Sequence, residues 1–415
     1  MKLNYGKIFL LGLGFFGVSV IWGVYNAFVP IFLAEKFNLA PVMIGFFMTL
    51  DNIAALFIQP PVGAWSDRLR TPIGRRLPFV LVGAPIGAVV FGLIPLAAAL
   101  PLFVACTSTL ILSMALWRTP VVALMPDITP SRYRSQANGI INFMGGVGAI
   151  FSFLGGSALY RLNPAFPFWM GSALVVLAGV LVLAFIREPK EYATDEKQPG
   201  MIESLKEVLQ DRERSAIRIF LAIFFWFLGF TAIEAFFTLY AKNHLGLNEA
   251  DGARLLGHLS LVFVLAALVA GYIGGKAGRR VTILSGIAVI GVIVLTIFFL
   301  PPAVLTTVVT KLPVLGTVPV ISLLLMAAGA GWALININSL PMVVELTSAA
   351  RFGTYTGLYY LFSTLSAIVG PNVNGWAVQL SSGNYNVIML LAPFFMVIAF
   401  TLMFGVKRGE ATKNV

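Results

Sequence analysis

The sequence predicts an all-α membrane protein whose twelve transmembrane helices form two pseudo-symmetric six-helix bundles. Three observations carry that prediction. Of the 415 residues, 59% are hydrophobic and 11% charged, against about 25% charged in soluble domains. About twelve apolar stretches reach the roughly 20 residues that a bilayer span needs. A glycine- and arginine-rich connection also recurs 208 residues further on, half a chain away.

The spans fall at roughly 8–33, 41–65, 79–98, 101–125, 137–160 and 165–186, then at 217–241, 250–274, 281–300, 318–344, 353–380 and 386–405. Residues 1–187 are then an N-terminal bundle, 188–216 a linker, and 217–415 a C-terminal bundle with a short tail. In the linker, Pro189, Pro199 and Gly200 interrupt regular structure. Ile202, Leu205, Val208 and Leu209 then recur at the spacing of a short amphipathic helix lying on the membrane surface. An even number of spans puts both termini on one side. About 22 of the 28 Lys and Arg residues gather there, with Lys2, the Gly63 loop, the linker and Lys407, which makes that side cytoplasmic. Met1 to Lys7 leads straight into the first span without a small-residue cleavage site, so no cleaved signal is expected.

Composition excludes several classes. The net charge of +11 lies in short loops between apolar runs, so it reads as topological anchoring and contact with anionic lipid, not as a nucleic-acid surface. One cysteine, Cys106, and two histidines rule out a disulfide framework and most metal clusters. No cofactor is expected. H-E-x-x-H, G-x-S-x-G and G-x-x-x-x-G-K-[ST] do not occur, which argues against an enzyme.

The densest charge is GAWSDRLRTPIGRRLPF, Gly63 to Phe79, where Arg68, Arg70, Arg75 and Arg76 surround the lone acid Asp67 between two apolar runs. A carboxylate beside fixed cations at a helix end can latch a neighbouring helix; the plainer alternative is a well-anchored loop. GYIGGKAGRRVTILSG, from Gly271, repeats the arrangement with Lys276, Arg279 and Arg280. The same offset lays Tyr25–Phe32 over Ile233–Tyr240, so that Asn26 matches Glu234 and Phe28 matches Phe236. At a slightly larger offset Asp127 matches Glu345, and Gly139 matches Gly357. Three matches in order argue for internal duplication, a mark of secondary transporters.

The Gly63–Phe79 loop resembles the cytoplasmic loop of the major facilitator superfamily. More narrowly, it is similar to that of the sucrose-transporter branch and the related glycoside and pentoside cation symporters. Gly63, Ser66, Asp67, Arg68, Gly74, Arg75, Arg76, Pro78 and Phe79 carry the pattern, after Gln59-Pro60-Pro61. The resemblance implies the major facilitator fold, action as a single chain, and a central cavity faced by the first, fourth, seventh and tenth spans. It thereby implies that Asn26, Arg118, Glu234 and Asn336 or Asn338 converge. The melibiose-type symporters have two acids a turn apart on span two; this sequence has Ala55 and Gln59 there, which leaves a proton as the simpler coupling ion. The plant sucrose transporters' span-four arginine aligns with Val122, one turn from Arg118.

Ionisable residues inside a span are costly and therefore candidates for function. Asp51, Arg118, Glu234 and His258 are those away from the span ends. Asp51 lies roughly 15 Å and Glu234 roughly 12 Å from the outer ends of their spans, and Arg118 about 14 Å from the inner end of span four. Asp51 is a possible partner for Arg118, though those depths separate the two by roughly 9 Å, which a long guanidinium side chain bridges only with tilt or rearrangement. His258 is either a proton-carrying neighbour of Glu234 or an interfacial histidine facing water. Carboxylate, guanidinium, the amides of Asn26, Asn52, Asn336 and Asn338, and the rings of Trp22, Phe236, Trp332 and Tyr359 together suit a sugar's hydroxyls and ring faces. Each amide has interhelical bonding, and each ring core packing, as its alternative. Glu234 comes first and Asp51 second for proton coupling, with His258 beside them. Asp67, Arg68, Gly74, Arg75, Arg76, Asp127, Arg134, Glu345 and Arg351 form the expected gating set.

The sequence thus points to proton-coupled symport of a disaccharide or other glycoside by alternating access, across a bacterial cytoplasmic membrane. Its partners would be a small molecule, a proton and the lipid bilayer, without nucleic acid. The alternatives are a proton-coupled exporter of drug-like organic molecules and, from another class, a non-transporting membrane sensor.

Overall fold

The computed structural model describes residues 5–129, 134–188, 208, 213–347 and 351–410. Most of the linker lies outside the described residues; of its four periodic apolar positions Val208 is described, helical and buried.

The helices are α1 (Tyr5–Ile31), α2 (Pro41–Phe47), α3 (Leu50–Phe57), α4 (Gln59–Arg68), α5 (Leu77–Leu93), α6 (Leu100–Ile128), α7 (Arg134–Ile150), α8 (Gly156–Tyr160) and α9 (Phe166–Phe185) in the first half. In the second half they are α10 (Ser215–Asn243), α11 (Glu249–Ala277), α12 (Arg279–Phe299), α13 (Pro302–Leu305), α14 (Val320–Val344), α15 (Phe352–Leu380) and α16 (Ile388–Phe404). π-helical turns extend α1 over Phe32–Lys36 and join α7 to α8 over Phe151–Gly155. Eleven described segments are long and apolar enough to cross a membrane. The 29-residue α15 matches them in length while carrying more polar residues, which completes the expected twelve.

Two departures from simple spans matter. The second span is three helices, because Pro60 and Pro61 cannot donate to the preceding turn and the ladder breaks at Ile58. Its earlier break lies at Met48–Thr49, where the Thr49 hydroxyl donates to the Phe46 carbonyl at 2.7 Å. The connection after α12 is not irregular: β1 (Val308–Leu312) and β2 (Gly316–Pro319) form an antiparallel hairpin, with Thr310 paired to Val318 and Lys311 to Thr317.

Contacts group the chain into two units. One comprises Met1–Leu39, Leu50–Thr194 and Asn248–Gly257, the other Ala40–Thr49, Asp195–Leu247 and His258–Val415. Inside the first, α1 packs along α7 and α9, and α5 along α6 and α9. Inside the second, α10 packs along α15 and α16, and α12 along α14 and α16. The pairing scheme is the same: first span with fifth and sixth, third with fourth and sixth. The duplication read in the sequence is therefore a duplication of packing. Close helix approach relies on absent side chains: a Cβ on Gly148 would stand 2.6 Å from the Phe16 carbonyl oxygen, and one on Gly286 equally close to that of Gly331.

The two short exchanged stretches, Ala40–Thr49 and Asn248–Gly257, match under the same 208-residue offset. In its unit α2 packs on α15, where a Cβ on Gly45 would fall 2.4 Å from the Pro371 carbonyl oxygen. In the other unit the Ser157 hydroxyl donates to the Ala250 carbonyl at 2.6 Å, and Arg161 pairs with Asp251.

Candidate functional site

The broken second span builds the first half of the site. The break at Met48–Thr49 starts α3 afresh, putting Asp51 and Asn52 in its first turn, where the Asn52 amide donates to the Asp51 carboxylate at 2.9 Å. The break at Ile58 sets Gln59 at the head of α4. With Trp22 of α1 and Arg118 of α6, these residues line one cavity of about 20 Å³, together with Ala54, Ala55, Ile111, Met114 and Ala115. That is room for about one water. Depth counting along straight helices separates Asp51 from Arg118 by roughly 9 Å; in the structure both line the same cavity. Tyr25 stands beside it, edge-on to Trp22 with ring centroids 5.6 Å apart. Its hydroxyl is buried with no hydrogen-bond partner among the described residues. Asn26, the next residue, is half-buried.

The second unit gathers aromatic surface on α10, α14 and α15. Phe230 stacks on Trp332 at 3.9 Å with rings parallel to 1°. Phe227 meets Trp332 and Tyr359 edge-on, at 5.2 and 6.2 Å. The Tyr359 and Ser339 hydroxyls share a hydrogen bond of 3.0 Å. Glu234 and Asn336, both half-buried, lie one turn along from Phe230 and Trp332 respectively.

Three residues expected at the site have other surroundings. Phe236 is fully buried, so its ring is core. Asn338 is 3% exposed, and its amide donates to the Ala270 and Leu334 carbonyls at 3.1 and 2.9 Å, which makes it a tie between α14 and α11. His258 is fully buried, not an interfacial histidine facing water. Its ring nitrogens meet the Ser322 hydroxyl at 2.8 Å and the Leu315 carbonyl at 3.0 Å. The ring carries a proton on Nε2, since a carbonyl can only accept.

Within the first unit the charged knot is cross-linked by ion pairs. Arg76, 5% exposed, reaches Asp67 at 2.6 Å, Asp127 at 2.8 Å and the Ser66 hydroxyl at 2.7 Å, while Arg75 reaches Asp127 at 2.9 Å. Burial works against the Arg76 charge, but the bonds from Asp127 and Asp67 outweigh it and raise its pKa. Beneath the knot lies a feature that motif reading missed. The Glu188 carboxylate accepts from the backbone amides of Arg75, Arg76 and Leu77 at 3.0, 2.8 and 2.8 Å, capping α5. Gly74, at φ 123°, leaves the space this needs. The second unit repeats the device: Glu410 accepts from the amides of Arg279 and Arg280 at 2.7 and 2.9 Å beside Gly278 at φ 94°. There Arg279 also pairs with Glu345 at 3.4 Å. The available signal was a carboxylate just after the last span of each bundle, in R-E-P and R-G-E, opposite each G-R-R. Arg68 and Arg351 are exposed, and the Arg134 side chain lies outside the described residues.

Comparison with known proteins agrees with this architecture. The chain is similar to multidrug resistance protein 1 of Bacillus subtilis, 22% identical over 237 residues that span 57% of this chain and 59% of that one. It is similar to the sucrose transport protein SUC3 of Arabidopsis thaliana, 23% identical over 41% of this chain and 32% of that one. The matches thus span about half or less of those two relatives. The cis,cis-muconate transport protein of Acinetobacter baylyi is 22% identical over 88% of this chain and 85% of its own. Among solved structures, an inward-facing, unoccupied bacterial homologue of the human lysosomal transporter Spinster superposes with a TM-score of 0.75 at 15% identity, covering 96% of both chains. The nucleoside transporter NupG superposes at 0.72 and 15% identity, over 97% of this chain and 99% of that one. These share the fold. With the family model for the Major Facilitator Superfamily matching residues 11–371, the chain belongs to that superfamily, as a multi-pass membrane transporter and not an enzyme.

Proposed function

We propose that the protein takes up a disaccharide or other glycoside together with a proton, by alternating access, across a bacterial cytoplasmic membrane with both termini inside. One observation carries the reading: Asp51, Asn52, Gln59, Arg118 and Trp22 line a single cavity. A carboxylate, a guanidinium and two amides supply the donors and acceptors that hydroxyls require, and an indole supplies a stacking face. The cavity admits about one water, so its part is to switch these groups rather than to enclose a sugar. A proton on Asp51 cancels its attraction for Arg118 and releases guanidinium donors to sugar oxygens; loss of the proton restores the attraction. Substrate and proton then favour the same state, which is the requirement for symport. Glu234, beside the Phe230–Trp332 stack, is the second carboxylate in the cycle. The Arg76 and Arg279 clusters hold each bundle's inner end together as the halves rock.

A second reading, export of organic cations, is favoured by that stack next to Glu234, since cations bind aromatic faces near a carboxylate. Thermal stabilisation of the purified protein by mono- and disaccharides and by hydrophobic cations separates the two, because a ligand of the folded state raises its stability. A shift with one disaccharide, lost in Arg118→Ala and in Asp51→Ala, supports uptake. A shift with cations alone overturns it.

A further inference from the structure

The hairpin between α12 and α14 has no part in the site described above, and its sequence is unlike a solvated loop. Val308 to Pro319 reads V-V-T-K-L-P-V-L-G-T-V-P, a single charge among apolar residues, where a turn in water favours Gly, Asn, Asp and Ser throughout. All five residues of β1 are exposed. Val308, Val309 and Leu312 are 49%, 55% and 43% exposed, and Val314 at the tip 84%.

Its depth is set by two ties. At the tip, the Leu315 carbonyl accepts from His258, whose other nitrogen is bonded to Ser322 in the first turn of α14. At the base, the Val320 amide donates to the Thr307 carbonyl at 3.0 Å. Tip and base are thus both held level with the start of α14, instead of projecting beyond it. A two-stranded hairpin is marginal by itself in water, so a buried histidine and a helix end fix what the hairpin's own bonds leave loose. Exposed apolar residues recur along the chain from α12 into the hairpin, at Val292, Phe299, Val304 and Val308.

We propose that this hairpin is a lipid anchor. It lies in the bilayer interface at the end of α12 away from Gly278, with Val308, Val309, Leu312 and Val314 against the upper acyl chains and Lys311 among the headgroup phosphates. A lysine there keeps its stem apolar and its ammonium at the phosphate level, and a negatively charged leaflet adds attraction. Lipid, not a second copy of the chain, is the occupant, because exposed apolar residues recur from the span into the hairpin and its single charge suits phosphate.

The test is spin-label accessibility in nanodiscs of phosphatidylethanolamine and phosphatidylglycerol, in a Cys106→Ser background. Labels at Val309→Cys and Val314→Cys are compared with Val292→Cys in mid-span and Ser382→Cys in the polar turn after α15. The ratio of collisions with oxygen to collisions with a water-soluble nickel complex should be several-fold higher at positions 309 and 314 than at 382, approaching that at 292. A ratio equal to that at 382 overturns the proposal. So does spin–spin broadening that vanishes on dilution with unlabelled protein, which would give the surface to a second copy. Val314, pointing into open space at the tip, tolerates the label even if Val309→Cys fails to fold.

Discussion

Replacing Glu188 tests the capping device at its point of greatest leverage. Three amides at the start of α5, from Arg75, Arg76 and Leu77, converge on this carboxylate at 2.8 to 3.0 Å. They are donors that the helix cannot satisfy internally, and the positive end of the helix dipole adds to the attraction. Losing an N-terminal cap costs about 0.5–2 kcal/mol, and losing a charge at the dipole's end about 0.3–1 kcal/mol. Glu188→Ala should therefore cost about 2 kcal/mol. Glu188→Gln, which keeps an acceptor and loses the charge, should cost about half as much. In a unit of 150–250 residues each kcal/mol lowers the melting temperature by about 2–4 °C, so the alanine variant should melt about 4–8 °C lower. The native Cys106 is buried and free, and a thiol-reactive fluorophore reports its exposure as the protein unfolds. Glu410→Ala removes the partner of two amides and should cost less. An unchanged melting temperature in Glu188→Ala would refute the capping argument. Equal loss in the alanine and glutamine variants would refute the charge component.

Arg76→Ala leaves Asp127 and Asp67 without their shared cation; breaking a buried pair costs about 3–5 kcal/mol, and the half-exposed Asp67 keeps the loss near the lower end. Thermal unfolding and yield in the membrane check it, and Arg76→Lys should rescue little, since an ammonium cannot serve Asp67, Asp127 and Ser66 in one plane. In proteoliposomes, Asp51→Asn should retain substrate exchange while losing proton-driven accumulation; full accumulation would move coupling to Glu234, for which Glu234→Gln is the matching variant. Gly45→Val puts carbon where the Pro371 carbonyl oxygen lies 2.4 Å away, so α2 and α15 must part. Overpacking of this kind costs about 1–3 kcal/mol and should appear as a lower melting temperature, whereas an unaltered one would mean that the approach is looser than described.

What the sequence determined unaided was everything governed by composition and period. Bilayer thickness sets span length, so apolar runs alone marked the helices, including α15, whose polar residues dilute its hydropathy. The 208-residue echo foretold the identical helix pairing in the two units. The residues of the charged knot were legible because opposite charges at one helix end have few other uses.

What tertiary structure alone decided was direction and partnership. Asn336 and Asn338 are two residues apart on one helix, yet one is half-buried and the other tied to α11, because their side chains leave the helix about 200° apart. Phe236 reads like Phe230, but burial sends the first to the core and the second to Trp332. Asp51 and Arg118 line one cavity, a placement that depth counting along straight, separate helices does not give. Glu188 and His258 act on partners 113 and 57 residues away, a backbone amide and a backbone carbonyl. Main-chain groups are present at every residue and leave no mark in a sequence, so which of them a side chain serves is set only when the helices pack.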